Sequence, residues 1–338
     1  MKFCTFEVRT PVGPFERLGA VVSEGDNLRY VDLNFAAAAE FKQRGSSRPQ
    51  AMADALIPSD MMAIAASGTG GIEASEEALE YALEHEDATG PRGEQIIYAP
   101  SEARLLAPIK QPPLIRGFAG FERHLKKTFE VMNLEIPKIW YERPLAFKAS
   151  CAHMAGPEEE VPWPSFTEKM DFELEFCCVI GVPGRDISEE DAHEHIFGYA
   201  ILNDWSARDA QGGEMAMGTG PYKSKDWCWS LGPWIATPDE VGDPKNIPMA
   251  ARVNGETWVE TTPGEMYWTF SQIIAYTARD ENLLTGDLMG SGTVPGGCGM
   301  EMDRWIQPGD IVEIDMGPLG VMRNKVGQKP EPKPYTYK

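Results

Sequence analysis

Residues 170–176, Met-Asp-Phe-Glu-Leu-Glu-Phe, alternate strictly between apolar and acidic side chains. Side chains of a β-strand point alternately to its two faces, so this pattern predicts a strand with one face in a core. Asp171, Glu173 and Glu175 would then stand together on the opposite face, where their charges repel. Such a row is typical either of a solvated strand face or of a site in which a cation cancels the repulsion. Its oxygen donors would suit Mg²⁺, Mn²⁺ or Ca²⁺.

The composition indicates an acidic protein that is long enough to bury a large core. The chain has 338 residues, with 31 Lys plus Arg against 52 Asp plus Glu, and a net charge of −21. A surface this acidic repels nucleic acid and anionic membranes, so we expect neither as a partner. No apolar run reaches the roughly 18 residues of a membrane span, and the N-terminus lacks the apolar core of a signal peptide. The cytosol is therefore the expected compartment.

The cysteines are spread along the chain without a C-x-x-C pair. This spacing fits neither a zinc knuckle nor a disulfide framework, so buried thiols are predicted. None is predicted to be a nucleophile, because no histidine partner is implied nearby in the sequence. The six residues are Cys4, Cys151, Cys177, Cys178, Cys228 and Cys298.

The chain divides most naturally near residues 100–113, where prolines punctuate the sequence and predict an extended linker or an edge crossing between lobes. Before this segment, short strands and a helix beginning around Asn34 predict a smaller N-terminal α+β domain, residues 1–110, without a catalytic motif. After it the pattern is mostly β, and the Asn254-Gly255 pair marks a tight hairpin. Periodicity alone thus indicates an α+β protein with many strands, in which residues 111–338 form the second domain.

A second motif, Asn-Asp-Trp-Ser-Ala-Arg-Asp at 203–209, follows the Glu-x-Glu of residues 173–175. Three further motifs come after it in order: Lys-Ser at 223–224, Leu-Gly-Pro-Trp at 231–234 and Ser-Gly-Thr-Val at 291–294. Together the five motifs resemble the fumarylacetoacetate hydrolase family. The resemblance implies a mixed, mainly β catalytic domain, roll-like or barrel-like, with a deep central cleft. It also implies that catalytic domains pair into a homodimer, which would cover exposed strand edges.

The resemblance further implies a divalent metal ion held by Glu173, Glu175 and Asp204. Mg²⁺ or Mn²⁺ is expected, with Ca²⁺ as a further candidate. Such an ion would chelate two oxygens of a keto acid and stabilise the enolate that leaves when a C–C bond breaks. Asp171 is not expected as a ligand, because the family pattern uses the later two carboxylates of the strand.

Fixed cations are expected to stabilise the developing negative charge and to hold the substrate carboxylate. Lys223 matches the catalytic lysine of the family by its Lys-Ser context, and it is preferred over Lys225, which would point to the same side if the segment is extended. For Arg208, the alternative to a substrate contact is a salt bridge to Asp209 or Asp204. The positions that the resemblance assigns to substrate binding are Arg208, Gln211, Gly292, Thr293 and Lys148.

His124 occupies the place of the family's general base, at the start of a lid helix. A histidine titrates near neutrality and can activate water when a carboxylate orients its ring. In the acylpyruvate-hydrolase branch this carboxylate lies three residues after the histidine, where the present chain has Lys127. Glu301 instead matches the partner used in the fumarylacetoacetate hydrolases proper, so a catalytic His124–Glu301 pair is predicted.

Two departures from the family pattern remove polar groups from the expected site. Gly117-Phe118-Ala119 stand where fumarylacetoacetate hydrolases carry an aspartate ligand followed by Phe-Tyr, so water is expected to complete the coordination sphere. Phe147 replaces a further tyrosine. Because a site built to hydrogen-bond a group discriminates strongly by it, fumarylacetoacetate itself is not the expected substrate.

The sequence therefore predicts a metal-dependent hydrolase that cleaves a C–C bond in a β-diketo or acylpyruvate-like acid of a catabolic pathway. Decarboxylation or tautomerisation of a β-keto acid, hydration of an unsaturated keto acid, and lactone opening would use the same enolate-stabilising site and stay open as alternatives. A noncatalytic, cation-dependent binding module would keep the acidic residues but would not need the lysine and the histidine.

Overall fold

A computed structural model describes residues 1–24, 27–131, 133–150 and 152–331 of the chain. The strands are β1 (Lys2–Thr10), β2 (Gly13–Glu24), β3 (Asn27–Asp32), β4 (Ile97–Tyr98), β5 (Ala103–Leu106), β6 (Ile115–Phe118), β7 (Ala146–Ala149), β8 (Met154–Ala155), β9 (Glu160–Val161), β10 (Met170–Asp171), β11 (Leu174–Ile180), β12 (Ile196–Asn203), β13 (Ser206–Ala207), β14 (Trp229–Ala236), β15 (Met249–Val253), β16 (Glu256–Thr261), β17 (Leu288–Gly290), β18 (Ile311–Asp315) and β19 (Val321–Val326).

The α-helices are α1 (Leu33–Gln43), α2 (Pro49–Leu56), α3 (Met61–Ala66), α4 (Gly68–Glu84), α5 (Glu122–Val131), α6 (Arg208–Ala216), α7 (Lys223–Asp226), α8 (Pro238–Val241), α9 (Phe270–Thr277) and α10 (Gly299–Met302). Short 3₁₀ helices cover Lys138–Tyr141, Asp191–His195, Pro244–Asn246, Pro263–Glu265 and Gly317–Leu319. Helix α1 begins where a helix was predicted, because the Asp32 carboxylate accepts the Phe35 N–H at 2.9 Å and caps its first turn. Across the described residues, no helix is both long enough and apolar enough to cross a membrane.

One large sheet forms the centre of the molecule and confirms the predicted α+β class. Its strand order is β4-β3-β2-β1-β14-β12-β11-β17-β6-β7, with β5 beside β1 and β8 beside β14. In the part of the chain that the structure describes, β4 and β7 end this order without pairing to each other. The sheet is therefore open, and "roll" describes it better than "barrel".

A second sheet, in the order β16-β15-β18-β19-β9, lies against the large one through a shared apolar core. Its hairpin between β15 and β16 confirms the turn predicted at Asn254-Gly255. Both residues have positive φ, 52° and 83°. Asn and Gly tolerate that conformation best, and it matches the twist of the two strands.

The strand predicted at residues 170–176 is interrupted. β10 ends at Asp171 and pairs with β13, Glu173 forms an isolated bridge with Cys298, and β11 begins at Leu174. All of β11 is buried, because β12 and β17 pair with its two edges and apolar cores cover its two faces. The acidic side chains of this segment therefore lie inside the protein, and the solvated alternative is wrong.

The N-terminal strands continue the large sheet. β1 pairs with β14, with Phe3 opposite Ile235, and residues from both halves of the chain, such as Leu33 and Trp229, share one apolar core. The division near residue 110 stays a prediction, because a shared sheet and a shared core do not by themselves mark a boundary between domains.

The cysteines that the structure describes are buried and free, as predicted: Cys4, Cys177, Cys178, Cys228 and Cys298. Cys151 lies outside the described residues. Burial raises the pKa of the Cys298 thiol well above its usual range, which disfavours the nucleophilic thiolate form.

Candidate active site

Three acidic residues meet at the centre of the large sheet. β11 and β12 run antiparallel with Leu174 opposite Asn203, so Glu175 of β11 lies near Asp204, which directly follows β12. Glu173, just before β11, completes the group, and carboxylate oxygens from Glu173, Glu175 and Asp204 all lie within 4.8 Å of one another. All three side chains are buried. The structure thus brings the three predicted ligands together, and we call them the carboxylate triad.

Two oxygens of the carboxylate triad have no hydrogen-bond partner among the described residues. They are Oε2 of Glu175 and Oδ1 of Asp204. Burial raises the pKa of both carboxyl groups well above their usual range, and the charge of Glu173 raises them further. Buried, unpaired carboxylate oxygens are costly. An all-oxygen set of this kind fits a hard divalent cation, which would satisfy both atoms and stabilise the ionised forms.

Lys225 is a buried cation that contacts two members of the carboxylate triad. Its Nζ donates to Glu173 Oε2 at 2.7 Å and lies 2.7 Å from Asp204 Oδ2. Burial by itself would lower the pKa of Lys225, but Asp204 and Glu173 raise it above its ordinary value. The ammonium therefore stays charged in the protein interior.

The preference for Lys223 over Lys225 is not supported by the structure. Lys223 is exposed, and its Nζ lies 5.9 Å from the centre of the Phe166 ring. The reason is the local conformation: both lysines lie in the short helix α7, not in an extended segment. Residues two apart in a helix point to different sides, so only one of the two can face the carboxylates.

Arg208 contacts acidic residues other than the two considered from the sequence. Its guanidinium donates from Nε to Asp171 at 2.8 Å, and Nη2 lies 2.8 Å from a Glu173 oxygen. Nη1 donates to Gln211 at 3.1 Å, so two residues assigned to substrate binding lie side by side at the start of α6. Arg208 thereby links the carboxylate triad to Asp171.

Asp171 holds several parts of the site together. Besides the Arg208 contact, its carboxylate accepts the backbone N–H groups of Gly299 at 2.8 Å and Met300 at 3.1 Å, in the first turn of α10. The sequence signal for this role was the third acidic position of the alternating stretch. In the structure, the buried Asp171 side chain therefore connects β10 to α6 and to the short helix that carries Glu301.

His124 and Glu301 are in direct contact. His124 lies in α5 and Glu301 in α10, and the distance from Nδ1 to Oε1 is 2.6 Å. The other oxygen of Glu301 accepts the Gly296 N–H at 3.0 Å, which fixes the carboxylate. The side chains remain 12% and 7% exposed, so the pair borders the accessible side of the site. This is the contact that the predicted pairing requires.

The loop at residues 291–294 packs against the site and contacts one member of the carboxylate triad. Gly292 has φ of +83°, and a Cβ there would lie 2.3 Å from the Phe118 carbonyl oxygen, so the position requires glycine. The Thr293 hydroxyl donates to Glu175 Oε1 at 3.2 Å. Thr293 therefore contacts a predicted metal ligand, and its hydroxyl is committed to that carboxylate instead of being free for a substrate anion.

Lys148 is not brought to the carboxylate triad. It is exposed in β7, and its Nζ lies 3.5 Å from Glu281. It lines a separate groove of about 370 Å³ with Arg116 and Tyr276. The neighbouring Phe147 is the residue of this strand that approaches the site, because its ring centre lies 5.8 Å from Lys225 Nζ.

The family model described as "Fumarylacetoacetate (FAA) hydrolase C-terminal" matches residues 115–327. The chain belongs to this family. The match covers β6 to β19 and therefore includes the carboxylate triad, Lys225 and the His124–Glu301 pair.

Curated relatives carry more than one activity in their names. "Oxaloacetate tautomerase fahd2, mitochondrial" from Xenopus laevis is 28% identical over 93% of this chain and 86% of its own length. "2,4-didehydro-3-deoxy-L-rhamnonate hydrolase" from a Sphingomonas strain is 34% identical over 58% of this chain and 68% of its own length. The family membership therefore agrees with an enzyme but does not by itself select one reaction.

Solved structures share the fold over nearly the whole chain. Maleylpyruvate hydrolase from Sphingobium sp. SYK-6, in complex with manganese(II) ion and pyruvate, superposes with a TM-score of 0.66 at 22% identity, covering 98% of this chain and 100% of that one. The superposition therefore includes the N-terminal strands of the present chain, which lie outside the residues that the family model matches.

Proposed function

We propose that this protein is a divalent-metal-dependent enzyme that hydrolyses a C–C bond between the carbonyl groups of a β-diketo or acylpyruvate-like acid, in a catabolic pathway. The observation that carries the proposal is the juxtaposition of two groups. A buried carboxylate triad has two oxygens without a hydrogen-bond partner in the described part of the chain, and the His124–Glu301 pair lies next to it. The backbone bridge between Glu173 and Cys298 joins the two groups, since Cys298 precedes the helix of Glu301.

Glu173, Glu175 and Asp204 would hold the metal ion, which would be Mg²⁺ or Mn²⁺ in the first instance. When bound, such an ion polarises the carbonyl oxygens of a keto acid and stabilises an enolate. The manganese(II) ion and pyruvate in the maleylpyruvate hydrolase structure support testing Mn²⁺ first. The buried ammonium of Lys225 supplies a fixed positive charge at the same place, where a developing anion gains most from it.

His124 would act as the general base. Glu301 accepts the Nδ1–H, so Nε2 is the nitrogen left to take a proton. Water would attack the carbonyl carbon and give its proton to Nε2, while Glu301 stabilises the resulting imidazolium. The C–C bond to the neighbouring carbon then breaks, and its electron pair enters the enolate of the departing fragment. That enolate takes up a proton to give the second acid.

A second candidate is tautomerisation of a β-keto acid such as oxaloacetate. It is favoured by the tautomerase names of relatives that match most of this chain. The same His124–Glu301 pair would then move a proton between carbon and the enol oxygen, without attack by water. Both candidates need the carboxylate triad and Lys225.

The experiment is a substrate screen with Mn²⁺ or Mg²⁺, using acylpyruvates, other β-diketo acids and oxaloacetate. Loss of enol absorbance is followed while the products are identified by mass. Two smaller acids from a diketo acid support hydrolysis. Faster keto–enol interconversion of oxaloacetate with no cleavage of any diketo acid would replace hydrolysis by the tautomerase function.

The metal requirement has its own test. Excess chelator should abolish turnover, Mn²⁺ should restore it, and Glu173→Ala should remove both ion binding and activity. Glu160→Ala is the matched control, because Glu160 lies on the protein surface and pairs only loosely with Lys325, at 3.7 Å. Full activity in excess chelator is incompatible with the proposal.

A further inference from the structure

A second group of metal-ligating side chains lies beside the carboxylate triad. A ring nitrogen of His124, the Cys298 thiol sulfur and a carboxylate oxygen of Glu301 all lie within 4.8 Å of one another. The thiol is 3.7 Å from Glu301 Oε1, and that oxygen is 2.6 Å from the imidazole nitrogen. No sequence motif predicts this group, because His124 and Cys298 are far apart in the chain. They come together where α5 packs on α10.

The donor atoms of this group differ from those of the carboxylate triad. Three oxygens suit Mg²⁺ or Mn²⁺, whereas one nitrogen, one sulfur and one oxygen suit Zn²⁺. We propose that His124, Cys298 and Glu301 form an inhibitory zinc site, with a fourth position open to water. This site is distinct from the ion position that the proposed function requires.

The geometry needs little change to accept zinc. Ligand bonds of about 2.0 Å to nitrogen and oxygen and about 2.3 Å to sulfur place tetrahedral donors roughly 3.3 to 3.6 Å apart. The observed sulfur–oxygen distance of 3.7 Å is only about 0.1 Å longer than this range. The nitrogen–oxygen distance of 2.6 Å must lengthen by less than 1 Å, estimated from the same bond lengths. His124 in α5 is 12% exposed, more than Glu301, so its side chain is the one expected to shift when the ion binds.

The charges also balance. Zn²⁺ together with a Cys298 thiolate and a Glu301 carboxylate carries no net charge, so the partly buried site does not hold an uncompensated ion. The buried thiol is protonated without metal, and binding releases its proton to solvent. Coordination at Nδ1 also moves the imidazole proton of His124 to Nε2.

Inhibition follows from the movement of the His124 proton to Nε2. The proposed reaction needs Nε2 of His124 as a proton acceptor and Glu301 as its carboxylate partner. Zinc at this site would occupy both residues and leave Nε2 protonated. The inhibition part of the inference therefore rests on the proposed function, but the binding part does not.

Binding is tested with Co²⁺, which takes zinc sites and gives a thiolate-to-metal charge-transfer absorption when a cysteine is a ligand. The protein is first saturated with Mg²⁺, which fills the oxygen-only position. We expect the absorption in the unaltered protein and in Cys4→Ala, a control in which an equally buried thiol of the N-terminal core is removed. It should be absent in Cys298→Ala, and Zn²⁺ should abolish it in the unaltered protein.

Inhibition is tested in parallel on the best substrate at saturating Mn²⁺. Zinc should inhibit the unaltered protein and Cys4→Ala at the same concentration, whereas Cys298→Ala should need at least about 100-fold more. This estimate is a lower bound, because loss of even an indirect partner weakens metal sites by about 10–100-fold. Equal zinc sensitivity in all three proteins would place zinc at the carboxylate triad and overturn the inference.

A further variant covers the case in which Cys298→Ala does not fold. His124→Gln changes a side chain on the accessible side of α5, and it should weaken Co²⁺ binding while the thiolate band stays detectable at high Co²⁺. Unchanged Co²⁺ affinity in His124→Gln, or no thiolate band in the unaltered protein, overturns the zinc site. If the band appears but no keto acid is turned over, the zinc site stands and only the proposed function fails.

Discussion

Lys225 places a full positive charge among three buried carboxylates, and its neighbour Lys223 serves as a natural comparison. Lys225→Met should lower kcat by about 10² to 10³, the usual loss when one fixed charge-stabilising group is removed. Lys223→Met should retain nearly the activity of the unaltered protein, because its side chain is exposed. Circular dichroism first checks that both variants fold. Steady-state kinetics then shows which of the two lysines supports catalysis. The reverse order of effects would restore the sequence-based choice of Lys223.

The contribution of the proposed base can be separated from that of the metal. His124→Ala should lower kcat by about 10² to 10⁴ while Mn²⁺ affinity, measured by calorimetry, changes little. Glu301→Gln should lower kcat less, because a poorly oriented imidazole still accepts a proton. Lys127→Ala, an exposed position of the same helix, is the control. Near-normal turnover in His124→Ala, combined with inactive Lys225→Met, would argue for decarboxylation over hydrolysis.

The carboxylate triad should make metal binding depend on pH. Burial raises the pKa of Glu175 and of Asp204, so the metal-free protein holds protons there that an ordinary carboxylate would have lost. The ion must displace these protons, so its affinity should rise with pH until both groups are ionised and fall as pH decreases. Mn²⁺ titrations in two buffers of different ionisation enthalpy should reveal the proton release. A pH-independent affinity would contradict this picture.

The interruption between β10 and β11 directs Asp171 towards α10 and Arg208. Asp171→Asn should destabilise the fold by about 3 kcal/mol, near the lower end for a broken buried ion pair, since Arg208 keeps Glu173 as a partner. Urea unfolding measures the loss.

The control for Asp171 is Glu256→Gln, which removes an exposed partner of Arg304. A surface pair of this kind contributes less than about 1 kcal/mol. Equal destabilisation in the two variants would mean that the buried contacts of Asp171 do not stabilise the fold more than a surface ion pair does.

The elements also explain what the sequence could predict. Alternation at residues 170–176 predicted that the acidic side chains of this segment lie together, because strand periodicity acts locally. Asp204 was added to Glu173 and Glu175 by the family resemblance, and the structure brings these three together. Lys225 was considered but Lys223 was preferred from its Lys-Ser context, because Lys-Ser-Lys-Asp has no periodicity that separates a single helical turn from an extended segment. The partners of Arg208 depend on a strand interruption that alternation does not reveal.

The open central sheet leaves edges at β4 and β7 in the described chain. Exposed edges favour association, and we therefore expect a homodimer, as the family resemblance implies. Light scattering at micromolar concentration should give twice the 37.4 kDa of one chain. An active species with the mass of a single chain is the result that would contradict this expectation.

The pairing of β1 with β14 also bears on how the chain folds during synthesis. Phe3 lies opposite Ile235, so the ribosome must translate more than 230 residues before this partner strand exists. Until then β1 has β2 on one edge and β5 along residues 5–8, while the end of β1 at Lys2 and Phe3 that β14 will cover stays open on the nascent chain. Vectorial synthesis therefore favours late completion of the central sheet, and open edges on unfinished chains are where chaperones act and where aggregation begins.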